Sequence, residues 1–298
     1  MLRIEGDLIV EVEEVDVAPD RLVFPGFLDL HAYAPETLVS AGVTGYLQTG
    51  QAPVETSDPL CLGLHLEGPF LNPEAAGALP PEELKPVDLD LLGEWLGRGD
   101  VRLVTVSPEI ERGLEAVALV AENAVAAVGH TLANEATTRA AIDAGATFAT
   151  HLWNAMAPLR ARATGPVSVL LLDQRVTVGL IADGRHLHPT VEELTVRVAG
   201  ASRIALTSDR VARPLTPRNR LAGGSRSGAE LVARFARFGL SEVATMASLV
   251  PAQLLGLTDR GRLLPGYHAD LAVLDARFRP LETVSAGKTV WALRYPEI

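Results

Sequence analysis

Short, almost continuously apolar runs alternate with amphipathic stretches along most of the chain. The runs are FLDLH (27–31), TGYLQT (44–49), LCLGLHLEG (60–68), VRLVTVSPE (101–109), VAAVGH (125–130), ATFATHLWN (146–154), VTVGLIADG (176–184) and RIALTSD (203–209). Strands buried on both faces read this way, as in a parallel sheet covered by helices. Between most of them lie helical patterns: DLDLLGEWLGRG, ERGLEAVALVAENA, NEATTRAAIDAG and TVEELTVRVAG. SGAELVARFARFG and SEVATMASLVPAQLLG follow the last run. Several of these open on Asp, Asn, Thr or Ser and close on Gly, which is cap chemistry. Eight strand–helix units predict an α/β fold, a (β/α)8 barrel of the TIM type.

The barrel is expected to be irregular at GQAPVETSDP, between the second and third runs, which has no room for a crossover helix. Before Phe24 and after about Asp259 the pattern changes to short alternating segments such as LIVEVEEVDV, DLAVLDARF and VWALR. Residues 1–23 and 259–298 are therefore expected to meet as a small β-sandwich beside a barrel domain of residues 24–258.

Composition narrows the function. An apolar share of 48% over 298 residues supplies a substantial core. The net charge of -11 argues against a broad nucleic-acid surface, so an anionic small substrate would need a local cationic pocket. Cys61 is the only cysteine, which excludes a disulfide framework and a thiolate zinc cluster. The opening MLRIEGDLIVEVEEV is too acidic for a signal peptide, and no apolar run approaches the roughly 20 residues that cross a bilayer. The expectation is a cytoplasmic protein with neither membrane nor nucleic-acid partner.

At or near the ends of these runs stand, in order, His31, Thr49, Glu67, Glu109, His130, His151, Asp183 and Asp209. Barrel enzymes place their chemistry at these C-terminal strand ends. So many ionisable groups there are costly unless they share a ligand or one another. Glu67, His130 and His151 offer one carboxylate and two imidazoles from three strands, a set suited to Zn²⁺ or Fe²⁺ with open positions for water. Asp209 is a further acid, closing the last run. Plainer readings fit the others: Glu109 caps the next helix, and His188 and His268 are loop residues. His65, taken to face away from a strand-end neighbour, packs or supports.

Five segments then occur in order: GLHLEGPFLNP (63–73), VGHTLANEAT (128–137), THLWNAMAPL (150–159), IADGRHLHP (181–189) and TSD (207–209). PAQLLGL and GRLLPGYHADLAVLD follow. Together they resemble the N-acetylglucosamine-6-phosphate deacetylases of the amidohydrolase superfamily, from PGFLDLH to the C-terminus, with some segments missing relative to the usual family length. The resemblance implies that Glu67, His130 and His151 hold one divalent metal per subunit, Zn or Fe. It implies that Asp209 takes a proton from the attacking water. Asn154 and Ala155 match a substrate-contacting dipeptide, and Ala78 falls in another substrate-facing segment. Arg162 matches a phosphate-binding arginine and His186 a further substrate contact. Leu221, Ala222 and Gly223 resemble the family's substrate loop. The implied substrate is an amino-sugar phosphate. The implied assembly is a homodimer, with some phosphate contacts supplied across the interface.

The chain departs from the family in instructive places. Some members carry two histidines in the first-strand motif and others use one metal. Here the second position is Tyr33, which predicts a single tightly held ion with His31 as an auxiliary or supporting group. Where the family has Lys-Gly-[AT]-His this chain has Ala76-Gly77-Ala78-Leu79, so a histidine near the scissile carbonyl is lost. Arg162-Ala163-Thr164-Gly165 replaces Arg-Glu-Pro-Gly, and Ser208-Asp209-Arg210 replaces Thr-Asp-Ala before a shortened segment. A missing donor to developing negative charge predicts a slow enzyme or a shifted substrate. Two rivals follow: an amidohydrolase acting on another N-acyl or cyclic amide, and a non-catalytic sugar-phosphate binder. An aspartate facing water argues against the second.

Overall fold

The computed structural model of the chain describes residues 1–13, 20–212 and 221–293. The ends of LIVEVEEVDV and VWALR, and most of the shortened segment after Asp209, lie outside the described residues. Strands β1 (Leu2–Glu5) and β2 (Leu8–Val12) form an antiparallel pair. After β3 (Arg21–Pro25) come eight strands hydrogen-bonded in chain order. These are β4 (Phe27–Ala32), β5 (Val43–Gly50), β6 (Cys61–Glu67), β7 (Val101–Val106), β8 (Val125–Val128), β9 (Ala146–Ala149), β10 (Thr177–Ile181) and β11 (Ile204–Thr207). All seven neighbouring pairs are parallel, so the eight apolar runs make the sheet of a (β/α)8 barrel.

The sheet comes round to its first strand through few bonds. Ala32 bridges Arg210 in parallel, and the Tyr33 and Ala34 amides donate to the Arg210 carbonyl. The buried Asp29 reinforces this seam: one carboxylate oxygen accepts from the amides of His31 and Ser208. Leu30, Leu47, Leu103, Ala127, Phe148 and Ala205 form one interior cluster with Val250 and Leu255. The filled interior makes the barrel a packed core, leaving the strand ends for chemistry.

Helices α1 (Leu89–Leu96), α2 (Gly113–Ala121) and α3 (Glu135–Asp143) follow β6, β7 and β8. The Asp88 and Asn134 side chains cap α1 and α3 by accepting from Leu91 and Thr137 amides. Helix α4 (Pro166–Leu172) forms from PVSVLLL, a segment with no helical pattern in the sequence. Five of its seven residues are buried, so it carries no polar stripe to mark a helical period. Helix α5 (Pro189–Ala199) starts on His188, whose ring accepts from the Thr190 amide, a cap rather than a plain loop residue. Helices α6 (Ala229–Phe235), α7 (Leu240–Ala244) and α8 (Val250–Leu254) complete the set, with a π-helical turn over Thr245–Leu249 joining the last two. As the sequence predicts, no helix separates β5 from β6.

Strands β12 (Leu271–Asp275), β13 (Pro280–Ser285) and β14 (Lys288–Ala292) return to β3, forming a four-stranded antiparallel sheet in the order β14-β13-β12-β3. Ile9 from β2 packs with Ala269, Leu271 and Val284, so residues from both ends of the chain share one small apolar cluster. The pairing of β3 with β12 runs to Pro25, two residues past the border at Val23 that the sequence suggests. No described helix is long and apolar enough to cross a membrane.

Candidate active site

Glu67 is the last residue of β6, while His130, His151 and Asp209 each lie two residues beyond β8, β9 and β11. The latter three have φ of 48°, 30° and 48°, in the left-handed region that non-glycine residues rarely adopt. Each such residue costs about 1–3 kcal/mol and persists only where its surroundings over-determine it. Three strands therefore bear the same local strain at equivalent positions, and all four side chains line one cavity of about 560 Å³.

Within it, Glu67 Oε1 lies 3.0 Å from His130 Nε2 and 2.9 Å from His151 Nε2, and the two nitrogens are 3.2 Å apart. The chemistry of these atoms tests whether a cation fits. His130 Nδ1 sits 2.8 Å from the Ala75 carbonyl, which can only accept, so Nδ1 carries the hydrogen. In a neutral ring, His130 Nε2 then presents a lone pair to a carboxylate oxygen. Two electron pairs that close need a positive charge between them. Ligand atoms about 2.0–2.2 Å from a tetrahedral ion would stand roughly 3.3–3.5 Å apart, only a few tenths wider than observed. The donor set fits a divalent cation.

Electrostatics point the same way. Burial opposes ionisation of Glu67, yet nearby His31 and His130 hold its carboxyl well below the usual range. Burial pushes His31 down, but Glu67 and Asp209 outweigh it and carry the imidazole up to about 10. His130 is likewise raised against its burial, by Glu67. Burial wins at His151, which is lowered. The carboxylates thus draw positive charge into the pocket, which a divalent ion supplies without protonating the ligands.

His31, Glu67 and His151 also offer one atom each within 4.8 Å of one another. The set that includes His130 is tighter because it converges on Glu67 Oε1. His31 faces the other oxygen, its Nε2 lying 3.4 Å from Glu67 Oε2 and 3.2 Å from Asp209 Oδ1. Those separations allow charge attraction, but the alignment does not make a hydrogen bond, and His31 Nε2 has no hydrogen-bond partner among the described residues. Tyr33 donates its hydroxyl to Glu67 Oε2.

Of the residues implied to meet substrate, Ala78, Asn154, Ala155, His186, Leu221, Ala222 and Gly223 line this same cavity. His186 is aimed by Asp183, which accepts from the ring and from the Arg185 and His186 amides. Leu221-Ala222-Gly223 is pinned by the next residue. The Gly224 amide donates to the Asp209 carbonyl over 2.7 Å, and a Cβ on Gly224 would lie 1.8 Å from the Ser208 carbonyl oxygen. Only glycine passes there.

Three residues sit differently from what the sequence suggests. Arg162 is exposed and does not line the cavity; its turn is closed by a bridge between Arg160 and Ala163. Glu109 caps no helix: it accepts from Asn72, Thr131 and the Leu132 amide, tying together the loops after β6 and β8. His65 is turned toward the site, its ring perpendicular to His31 at 4.6 Å, with its nitrogens satisfied by the Leu30 carbonyl and Thr105. Burial holds it well below the usual imidazole range, as befits a neutral support. Ile181, Gly77 and Val211 also line the cavity. Each lies within two residues of a flagged position: Gly77 beside Ala78, Ile181 near Asp183 and Val211 near Asp209.

The chain matches the Amidohydrolase family over residues 34–290. It belongs to the amidohydrolase family. Among relatives, the N-acetylglucosamine-6-phosphate deacetylase of Bacillus subtilis (strain 168) is 29% identical, covering 92% of this chain and 86% of that protein. The enzyme of the same name from Bos taurus is 32% identical, covering 86% and 72%. A mutant N-acetyl-D-glucosamine-6-phosphate deacetylase from Mycobacterium smegmatis, solved in complex with N-acetyl-D-glucosamine-6-phosphate, superposes with a TM-score of 0.89. It is 29% identical and covers 97% of this chain and 94% of its own. An amidohydrolase is a metal-dependent hydrolase, and the Glu/His cluster is where this one can hold a metal.

Proposed function

We propose that this amidohydrolase removes acetate from N-acetylglucosamine 6-phosphate, releasing glucosamine 6-phosphate. The observation that carries the reading is the meeting of Glu67, His130 and His151 within 3.2 Å beside Asp209, in a cavity also lined by Asn154, Ala155 and His186. One divalent ion per chain, Zn²⁺ or Fe²⁺, held by Glu67, His130 and His151 would supply Lewis acidity to the amide carbonyl and to the attacking water.

The chain's own residues do the rest. Asp209 accepts the proton from water as its oxygen bonds to the acetyl carbon. The same carboxyl then gives that proton to the nitrogen as the C–N bond breaks, because an amide nitrogen does not leave as an anion. His31, 3.2 Å from Asp209 Oδ1, keeps the carboxylate facing the reacting centre. Asn154, Ala155, His186 and the loop at Leu221–Gly223 orient the sugar, and binding energy from that end positions the amide. Arg162, outside its own cavity, supports a phosphate contact delivered to the other chain of a homodimer. A cytoplasmic location belongs to the same proposal, since a phosphorylated sugar does not cross an apolar bilayer unaided.

The test is release of free amine from N-acetylglucosamine 6-phosphate by the purified, Zn²⁺- or Fe²⁺-loaded chain. Hydrolysis of other amides only, or binding without turnover, would overturn the assignment. One feature favours a shifted substrate as a second reading: Leu79, Val211 and Leu221 add apolar lining to the cavity, and Leu79 stands where the family pattern has a histidine. If that lining simply marks a deficient deacetylase pocket, Leu79→His raises kcat on this substrate by up to about 10²-fold. No gain, with turnover of a bulkier N-acyl amide instead, would identify a rebuilt acyl pocket.

A further inference from the structure

Glu67 has two carboxylate oxygens, and the structure gives them different work. Oε1 faces the Nε2 atoms of His130 and His151, at 3.0 Å and 2.9 Å. Oε2 accepts the Tyr33 hydroxyl. Tyr33 is itself held on three sides. Its amide donates to the Arg210 carbonyl, its own carbonyl accepts from the Gln48 side chain, and its ring packs edgewise on His31 at 5.7 Å.

We infer that Tyr33 is a positioning residue for the ion: by holding Glu67 Oε2 it leaves Oε1 as the only oxygen that Glu67 presents to the metal. The inference rests on the reading that Glu67, His130 and His151 hold a divalent cation. A phenol donating to an anionic oxygen makes a charge-assisted bond, stronger than one between neutral groups. It fixes the rotation of the carboxylate, which could otherwise close on the ion through both oxygens or swing away. The same hydroxyl hydrogen occupies the side of Glu67 where a second ion beside His31 would need a lone pair. Tyr33 therefore both orients the ligand and keeps the site to one ion.

The test uses the full chain as wild type, Tyr33→Phe and Tyr33→His, stripped of metal and titrated with Zn²⁺ against a competing chelator. Parallel samples are loaded with Co²⁺ for visible spectra. Wild type takes one equivalent. Tyr33→Phe still takes one, bound about 10–100-fold more weakly, as is typical when a group supporting a metal ligand is removed. Its Co²⁺ absorption weakens as Glu67 closes through both oxygens and the coordination number rises. Tyr33→His, with a nitrogen lone pair in place of the phenol hydrogen, takes up a second equivalent. Wild-type affinity and an unchanged spectrum in Tyr33→Phe would overturn the inference. So would a single equivalent at wild-type affinity in Tyr33→His, which decides the matter if the phenylalanine variant fails to fold. A wild-type chain that binds no ion would instead overturn the metal reading beneath it.

Discussion

Replacing Asp209 by Asn leaves the ion bound and lowers amide hydrolysis by about 10²–10⁴-fold, the usual worth of a positioned general acid–base. The residue sits two positions past β11 with φ of 48°, in the wall of the cavity, and its Oδ1 is 3.2 Å from His31 Nε2. Asparagine keeps the shape and can still occupy the left-handed backbone, so the loss reports chemistry and not collapse. It cannot take the proton from water or return one to the departing nitrogen. The fall therefore appears in kcat, with KM for the sugar phosphate changed little and metal content at one equivalent. Loss of the ion together with activity would place Asp209 among the ligands instead.

Glu67→Gln has the opposite signature. It removes the anion shared by His130 and His151, and Oε1 is the atom on which both converge. Removing a group that merely supports a ligand already costs 10–100-fold in affinity, so losing a ligand's charge weakens the ion by more than about 100-fold. Activity falls to background at any metal concentration that saturates wild type. Stability separates this from misfolding. An ion at 1,000 times its Kd stabilises the folded chain by about 4 kcal/mol. A chelator should therefore lower the Tm of wild type and leave that of Glu67→Gln unmoved.

The sequence displayed much of this because parallel strands covered by helices leave continuous apolar runs, and a barrel puts function where those runs end. Glu67, His130, His151 and Asp209 stood out as polar residues closing apolar strands. Their convergence could be expected from topology, though not their geometry: the strands stop at Val128, Ala149 and Thr207, and the left-handed turns that follow leave no mark in composition. PVSVLLL became a helix that periodicity could not show, because it is buried nearly all round.

Partnerships between distant residues were the least legible part. Glu109 joins Asn72 to Thr131, separations of 37 and 22 residues, whereas its neighbours in sequence suggest only a helix cap. Arg162 matches a family motif in sequence, yet it is exposed and does not line the cavity. Tyr33 raised the question of a missing ligand, and the answer lay 34 residues away on Glu67.

Elemental analysis of the purified chain tests the central claim most directly, with wild type and Glu67→Gln dialysed side by side in metal-free buffer after loading with Zn²⁺ or Fe²⁺. The account predicts one equivalent of divalent metal per wild-type chain and none retained by the variant. A metal-free wild type, or equal metal in both, would contradict it.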